Sequence, residues 1–160
     1  MPQVKIMNKI AIGSDHAGFG LKEDVLGLLK DLNIDIVDCG TNTTESVDYP
    51  DFGARVSELV SSGEVERGIL ICGTGIGMSI VANKYPNVRA ALCNDLFSAK
   101  MSRLHNDANI LALGSRVIEK NLAAEIVKVW LSTPFEGGRH LKRLDKIRKI
   151  EEKLNIHGNY

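Results

Sequence analysis

Ile69-Leu70-Ile71-Cys72-Gly73-Thr74-Gly75-Ile76-Gly77-Met78 is the stretch from which the fold of this 160-residue chain can be read. Its opening residues are apolar and mostly β-branched, as in a strand buried within a parallel sheet. Three glycines at alternate positions then break the run, and a helical pattern resumes at Ile80. Strand, tight glycine turn and helix start together make an anion-binding corner. Glycines let backbone N–H groups approach a ligand closely, and the helix N-terminus adds positive potential. Cys72 stands where the strand gives way to that corner, beside fixed N–H dipoles that favour a thiolate. On residues alone it is either a nucleophile or base, or a small buried hydrophobe.

Upstream, Lys9 to Ser14 reads as the first strand and Asp15-His16-Ala17-Gly18 as a loop. Leu21, Val25, Leu28, Leu29 and Leu32 recur at helical spacing. Glu23 and Asp24 are expected near that helix's start, where they suit the macrodipole. Ile34 to Val37 predicts a second strand ending in Asp38-Cys39-Gly40, and the polar segment Thr41 to Asp51, with Tyr49-Pro50, a loop. Phe52, Val56, Leu59 and Val60 mark a second helix closed by Gly63.

Downstream, the helix after the glycine turn is expected from about Met78 to Lys84, stopping before Pro86. Val88 to Leu92 predicts the fourth strand, and Asp95 caps a helix carrying Phe97, Met101 and Leu104. Asn109 to Leu113 is the fifth strand. Leu122, Ile126, Val129 and Trp130 make another helix, and after Gly137-Gly138 a last one has Leu141, Leu144, Ile147, Ile150 and Leu154 on one side. His157 reads as a tail residue. Five strands alternating with helices imply an α/β fold, a doubly wound three-layer sandwich around a five-stranded, mostly parallel sheet of Rossmann-like type. The expectation is a single domain over residues 1–160.

Twenty basic and twenty acidic side chains cancel, so charge points to neither nucleic acid nor membrane. No apolar run approaches the roughly 20 residues that span a bilayer. The N-terminal residues lack the apolar core and cleavage site of a signal peptide. Three cysteines at wide spacing suit a reducing compartment, and no pair has zinc-ligand spacing. A cytoplasmic protein is expected.

Ligands of such sheets bind beyond the carboxyl ends of the strands, at a topological switch point. Those ends carry Asp15-His16, Asp38-Cys39, Cys72-Gly73-Thr74-Gly75, Cys93-Asn94-Asp95 and Ser115-Arg116. All three cysteines share that edge, but only Cys72 is followed by a turn offering both donors and room. The turn matches the first two glycines of a dinucleotide fingerprint, yet Met78 stands where the third would be. It also lacks the Gly-Lys-Ser/Thr of a P-loop. His105, in Arg103-Leu104-His105-Asn106-Asp107, is either a proton donor near neutral pH or a helix-terminal histidine satisfied by carbonyls. His16, directly after Asp15, suggests hydroxyl or ring-oxygen contacts. Arg139 and Arg143 share a helix face, and with His140, Lys142 and Lys146 they put positive charge where the macrodipole disfavours it. A bound phosphate, which suits the Arg fork, accounts for that placement; so does a solvated basic face. A nucleic-acid patch is disfavoured by its shortness and lack of aromatics.

Seven segments in register resemble the ribose-5-phosphate isomerase B family, a group that also contains allose- and galactose-6-phosphate isomerases. They are Gly13-Ser-Asp-His-Ala-Gly18, Asp48-Tyr-Pro50, Gly68-Ile-Leu-Ile-Cys-Gly-Thr-Gly-Ile-Gly77, Ala82-Asn-Lys84, His105-Asn-Asp107, Leu113-Gly-Ser-Arg116 and Glu136-Gly-Gly-Arg-His140. The resemblance implies interconversion of ribose 5-phosphate and ribulose 5-phosphate through an enediol(ate). It implies Cys72 as the base between C1 and C2, and His105 as the ring-opening acid with Asp15 nearby. Thr74 and the N–H groups of Gly73, Gly75, Ile76 and Gly77 would hold the enediolate. Arg116, Arg139 and Arg143 would hold the phosphate, and His16 and Asn106 would contact substrate. The family uses no metal or organic cofactor. It forms homodimers, sometimes tetramers, with sites at the subunit interface, where the last helix (about 139–154) is expected to pack.

Two departures from the family pattern stand out, the second of which is expected to matter little. One branch of the family uses a carboxylate base at the position of Met78 and lacks the cysteine, so the resemblance implies the cysteine branch. Ser14 stands where a cysteine is common. A six-carbon substrate such as allose 6-phosphate, and a non-catalytic sugar-phosphate- or nucleotide-binding module, stand as alternatives.

Overall fold

The computed structural model describes residues 9–154, so His157 lies outside the described residues. Strands β1 (Lys9–Ser14), β2 (Asp35–Asp38), β3 (Arg67–Cys72), β4 (Ala90–Leu92) and β5 (Ile110–Gly114) form one sheet in the order β2-β1-β3-β5-β4. All neighbouring strands run parallel. Helices α1 (Phe19–Asp31), α2 (Tyr49–Ser61), α3 (Ile76–Ala82), α4 (Leu96–Leu104) and α5 (Lys120–Ser132) join or follow the strands, and α6 (Arg139–Lys153) comes last. Among the described residues, no helix is long and apolar enough to cross a membrane.

Period-two alternation along the strands sorts their side chains into two cores. Ile10, Ile12, Ile69, Ile71, Leu111 and Leu113 pack with Val25 and Leu29 of α1, Ala99 of α4, and Ile126 and Trp130 of α5. Ala11, Leu70, Cys72 and Ile110 pack with Val56 and Val60 of α2 and Met78 and Ala82 of α3. The sheet is therefore the middle of three layers. β1 and β5 lead to helices on one face, and β3, between them, leads to α3 on the other. Chain paths part on both sides of β3, which makes its carboxyl end the switch point. Cys72 is the last residue of that strand.

Several local expectations need correction. The loop expected over Thr41 to Asp51 ends at Asp48, because Tyr49 and Pro50 open α2. Proline is tolerated there, since a first-turn N–H has no helical partner to lose. α3 starts at Ile76, ahead of the expected Met78, and so includes Gly77. Glu23 and Asp24 lie past the first turn of α1; Asp24 instead pairs with Lys120 at 3.0 Å. Phe97 is 73% exposed, while Ala99, Ser102 and Arg103 of α4 face inward. On α6 the side with Leu141, Ile147 and Ile150 is exposed, and His140 is the helix's one buried residue.

Candidate active site

The glycine corner is built around the Cys72 sulfur. Gly75 caps α3 with φ +78°, and its N–H donates to Cys72 Sγ at 3.1 Å. That bend turns a fixed dipole onto a buried thiol, where negative charge on sulfur would develop. The Thr74 side chain is exposed, and its Oγ1 accepts from the Ile76 N–H at 3.3 Å. From the neighbouring β5 end, Ser115 N–H donates to the Cys72 carbonyl and Arg116 N–H to the Gly73 carbonyl. The Arg116 guanidinium then lies over Gly73, with Nη1 3.4 Å from where a Cβ would stand. On the α2 side the Tyr49 ring covers Gly77 so closely that a Cβ there would lie 2.6 Å from ring carbons. Tyr49 is therefore a site residue that the loop reading missed. The signal was present, because Asp-Tyr-Pro puts an N-cap candidate ahead of a first-turn proline.

The β1 end supplies the other wall. Asp15 is buried, its N–H donates to the Ile71 carbonyl, and its Oδ1 accepts from the Gly18 N–H at 2.9 Å. Ser115 Oγ donates to the Ala17 carbonyl at 2.8 Å, tying this loop to the β5 loop. His16 Nδ1 accepts from the Val47 N–H at 3.1 Å, so the neutral ring carries its proton on Nε2. The segment between β2 and α2 is pinned a second time by Lys22. That lysine is fully buried, and its Nζ reaches Asp38 at 2.8 and 3.0 Å and Asn42 at 3.4 Å. The other two cysteines are held as thiols: burial, then Asp38, pushes Cys39 up, and burial pushes Cys93 up to about 11.

His105, Asn106, Arg139 and Arg143 are elsewhere. His105 is the C-cap of α4 and precedes β5, at the opposite, amino edge of the sheet. Arg103 fixes this turn from beneath, donating to Asp107 Oδ1 at 2.9 Å, to the Ala108 carbonyl at 2.7 Å and to the Thr133 carbonyl at 3.2 Å. Arg89 adds bonds to the Asn106 and Asp107 carbonyls. Glu136 N–H donates to the Leu104 carbonyl, which brings the start of α6 beside His105. There the His105 and His140 rings stack, centroids 4.2 Å apart and planes 15° from parallel. Arg139 and Arg143 are exposed on the same helix. A six-residue strand spans roughly 20 Å, so one chain holds two half-sites a strand length apart. Asp15, His16, Cys72, Gly73, Thr74, Gly75, Ile76, Gly77 and Arg116 form one; His105, Asn106, Arg139 and Arg143 form the other.

Among the described residues, donor atoms of His105, Glu136 and His140 lie within 4.8 Å of one another. Two of those donors belong to the stacked His105 and His140 rings.

The ribose/galactose isomerase family model matches residues 10–147. The chain is 48% identical to ribose-5-phosphate isomerase B of Escherichia coli over 149 residues, covering 93% of this chain and 100% of that protein. It is also similar to the solved ribose-5-phosphate isomerase B of Clostridium thermocellum, with TM-score 0.90, 56% identity, and coverage of 91% and 99%. The Mycoplasma genitalium enzyme, solved with bound ribulose-5-phosphate, gives TM-score 0.88 at 41% identity, with coverage of 91% and 97%. A match over this much of the chain, on a glycine corner at the switch point of the same fold, settles its kinship: the chain belongs to the ribose/galactose isomerase family.

Proposed function

We propose that this chain is a ribose-5-phosphate isomerase of type B, interconverting D-ribose 5-phosphate and D-ribulose 5-phosphate, with Cys72 as its base. The observation that carries the reading is the Cys72 sulfur at the switch point, with the Gly75 N–H aimed at it from 3.1 Å. Relatives of that name, similar over nearly their whole length, supply the substrate.

The reaction begins with closed ribose 5-phosphate. His105 gives a proton to the ring oxygen as the C1–O4 bond breaks, and the C1 hydroxyl loses its proton toward Asp15, leaving the open aldehyde. The Cys72 thiolate removes the C2 proton, and the C2–H electron pair moves into a C1–C2 double bond while O1 takes the charge. Thr74 and the N–H groups of Gly73 to Gly77 stabilise that enediolate. A proton passes from O2 to O1, and Cys72 returns its proton to C1 as the C2–O2 bond becomes the carbonyl of the ketose. Arg116, Arg139 and Arg143 hold the phosphate by charge-assisted bonds, and His16 and Asn106 contact substrate hydroxyls.

Two half-sites a strand length apart cannot close on one five-carbon sugar. The working site joins the carboxyl edge of one copy to the amino edge of a second, and α6, with its exposed apolar side, packs at that junction.

The test compares wild type and Cys72→Ala on ribose 5-phosphate and allose 6-phosphate. Turnover of the pentose, lost in the variant while ribulose 5-phosphate still binds by calorimetry, supports substrate and base together. Retained turnover removes Cys72 from its role; preference for the hexose changes the substrate; inactivity on both, with binding intact, returns the binding-module reading.

A further inference from the structure

His140 closes the segment Glu136-Gly-Gly-Arg-His140, yet the mechanism above gives it no task. Its surroundings are unusual for a residue in the first turn of an otherwise exposed helix. Gly137 and Gly138, with φ +71° and +55°, turn the chain so that α6 starts directly against the end of α4. His140 is 3% exposed, and its Nε2 is buried without a hydrogen-bond partner. The nearest acidic oxygen, Glu136 Oε2, is 3.6 Å away, beyond hydrogen-bond range. A buried donor or acceptor left unmade is unfavourable, and a leucine would fill such a space without that penalty. The feature that distinguishes an imidazole here is its flat face, seated on His105 with centroids 4.2 Å apart.

We infer that His140 is a positioning residue for His105: its buried ring fixes the plane from which His105 delivers a proton to the sugar ring oxygen. The inference rests on the ring-opening role proposed for His105. General acid transfer works only within a narrow range of distance and direction. His105 is a half-buried helix-terminal side chain, and its backbone is fixed by the Arg103 and Arg89 bonds to the next residues. Those bonds leave its χ angles free. A face-to-face neighbour removes that freedom without occupying either ring nitrogen. The groups facing His140 are His105 at the end of α4, Glu136 ahead of α6, and Arg139 and Arg143 on its own helix. Burial and then His105, with smaller pushes from Arg139 and Arg143, hold the His140 ring below its ordinary value against the opposing pull of Glu136. That direction favours an uncharged supporting ring beneath the one that must donate.

A purely structural role makes a different prediction. As the one buried residue of α6, His140 anchors the helix that carries Arg139 and Arg143. Loss of that anchor alone would weaken phosphate binding for every substrate and slow every step together. Ring opening, by contrast, is needed only by the closed aldose. Ribulose 5-phosphate carries its phosphate on O5 and cannot form the five-membered ring, so deuterium exchange at its C1 reports on the base alone.

The experiment measures both rates for wild type, His105→Asn, His140→Ala and His140→Phe. His140→Ala is expected to lower kcat for ribose 5-phosphate about 10- to 100-fold while C1 exchange changes by less than about threefold. His140→Phe, which keeps a flat ring, is expected to restore the aldose rate to within about fivefold of wild type. Should the alanine protein fail to fold, His140→Asn is read against the same two rates. Equal losses in both rates, no loss in either, or a phenylalanine variant as slow as alanine overturns the inference. His105→Asn keeps the two levels apart: if it shows no split between the rates, the ring-opening role itself falls; if it does and His140→Ala does not, only the positioning role falls.

Discussion

Gly75 holds two positions at once, a left-handed bend and a close contact. Its φ of +78° is in the region that disfavours a Cβ, and an added Cβ would lie 2.5 Å from Leu92 Cδ1 and 2.9 Å from the Leu113 carbonyl carbon. The Leu92 side chain can move; the Leu113 backbone, in β5, cannot. Gly75→Ala is therefore expected to lower unfolding free energy by about 2–4 kcal/mol and to swing the amide off Cys72, measurable as a urea midpoint shift together with lost turnover. An unchanged midpoint would show that the turn relaxes without strain. This residue and Cys72 were legible in the sequence, because alternate glycines after an apolar run have few other uses. Lys22 was not: in isolation it is one more charged residue on an amphipathic helix. Only the fold brings Asp38 and Asn42 to its ammonium group. Tyr49 escaped for a similar reason, since its contact with Gly77 is made across two helices.

Elements were more readable in kind than in facing. The strand and helix alternation holds, because buried strands and amphipathic helices leave different apolar periods. What covers an apolar side leaves no mark in the period. Phe97 of α4 and Ile147 and Ile150 of α6 fit helical stripes yet are exposed, while Arg103 turns inward to bond the carbonyls of its own turn. The junction of β4 and α4 illustrates a consequence of burial that pattern alone does not expose. Burial, with help from Asp95 and against a Ser102 bond, raises the Cys93 thiol from 9.0 to about 11. The folded chain then holds a proton that the unfolded chain releases, so this contribution is complete below pH 9 and is lost as pH climbs toward 11. Two units correspond to about 2–3 kcal/mol. Cys93→Ala lacks the titration, although it is less stable at neutral pH from the lost sulfur. The stability gap between the two proteins should narrow from pH 9 to pH 11 in urea titrations; parallel curves would mean Cys93 ionises in the folded state as it does in the unfolded. Tyr85, also raised by burial and Glu58, steepens both curves equally and cancels from the comparison.

At the scale of the molecule, chain order already contained the division of the site. In a parallel α/β sheet, residues that follow a strand stand at the carboxyl edge, and residues that follow a helix and precede a strand stand at the amino edge. Asp15, Cys72 and Arg116 are of the first kind; His105 and Asn106 are of the second. Applied to the five strands, that rule separates Cys72 from His105 by chain order alone. One chain thus presents the proposed base without the proposed acid on one edge and that acid without the base on the other, and α6 leaves an apolar side uncovered beside the second. If two copies complete each other, Cys72→Ala and His105→Asn damage different halves of the same site. Each variant alone is expected to be inactive on ribose 5-phosphate. In a dimer of one Cys72→Ala chain and one His105→Asn chain, one junction collects both substitutions and the other collects none. Co-expression with two different tags, and purification through both, isolates that mixed species. It is expected to turn over ribose 5-phosphate at about half the wild-type rate per dimer, as twofold symmetry requires. An inactive mixed dimer would place Cys72 and His105 in the same chain's site, and the separation of the two edges would then have to be bridged by a movement of α4 and α6 instead of by a second copy.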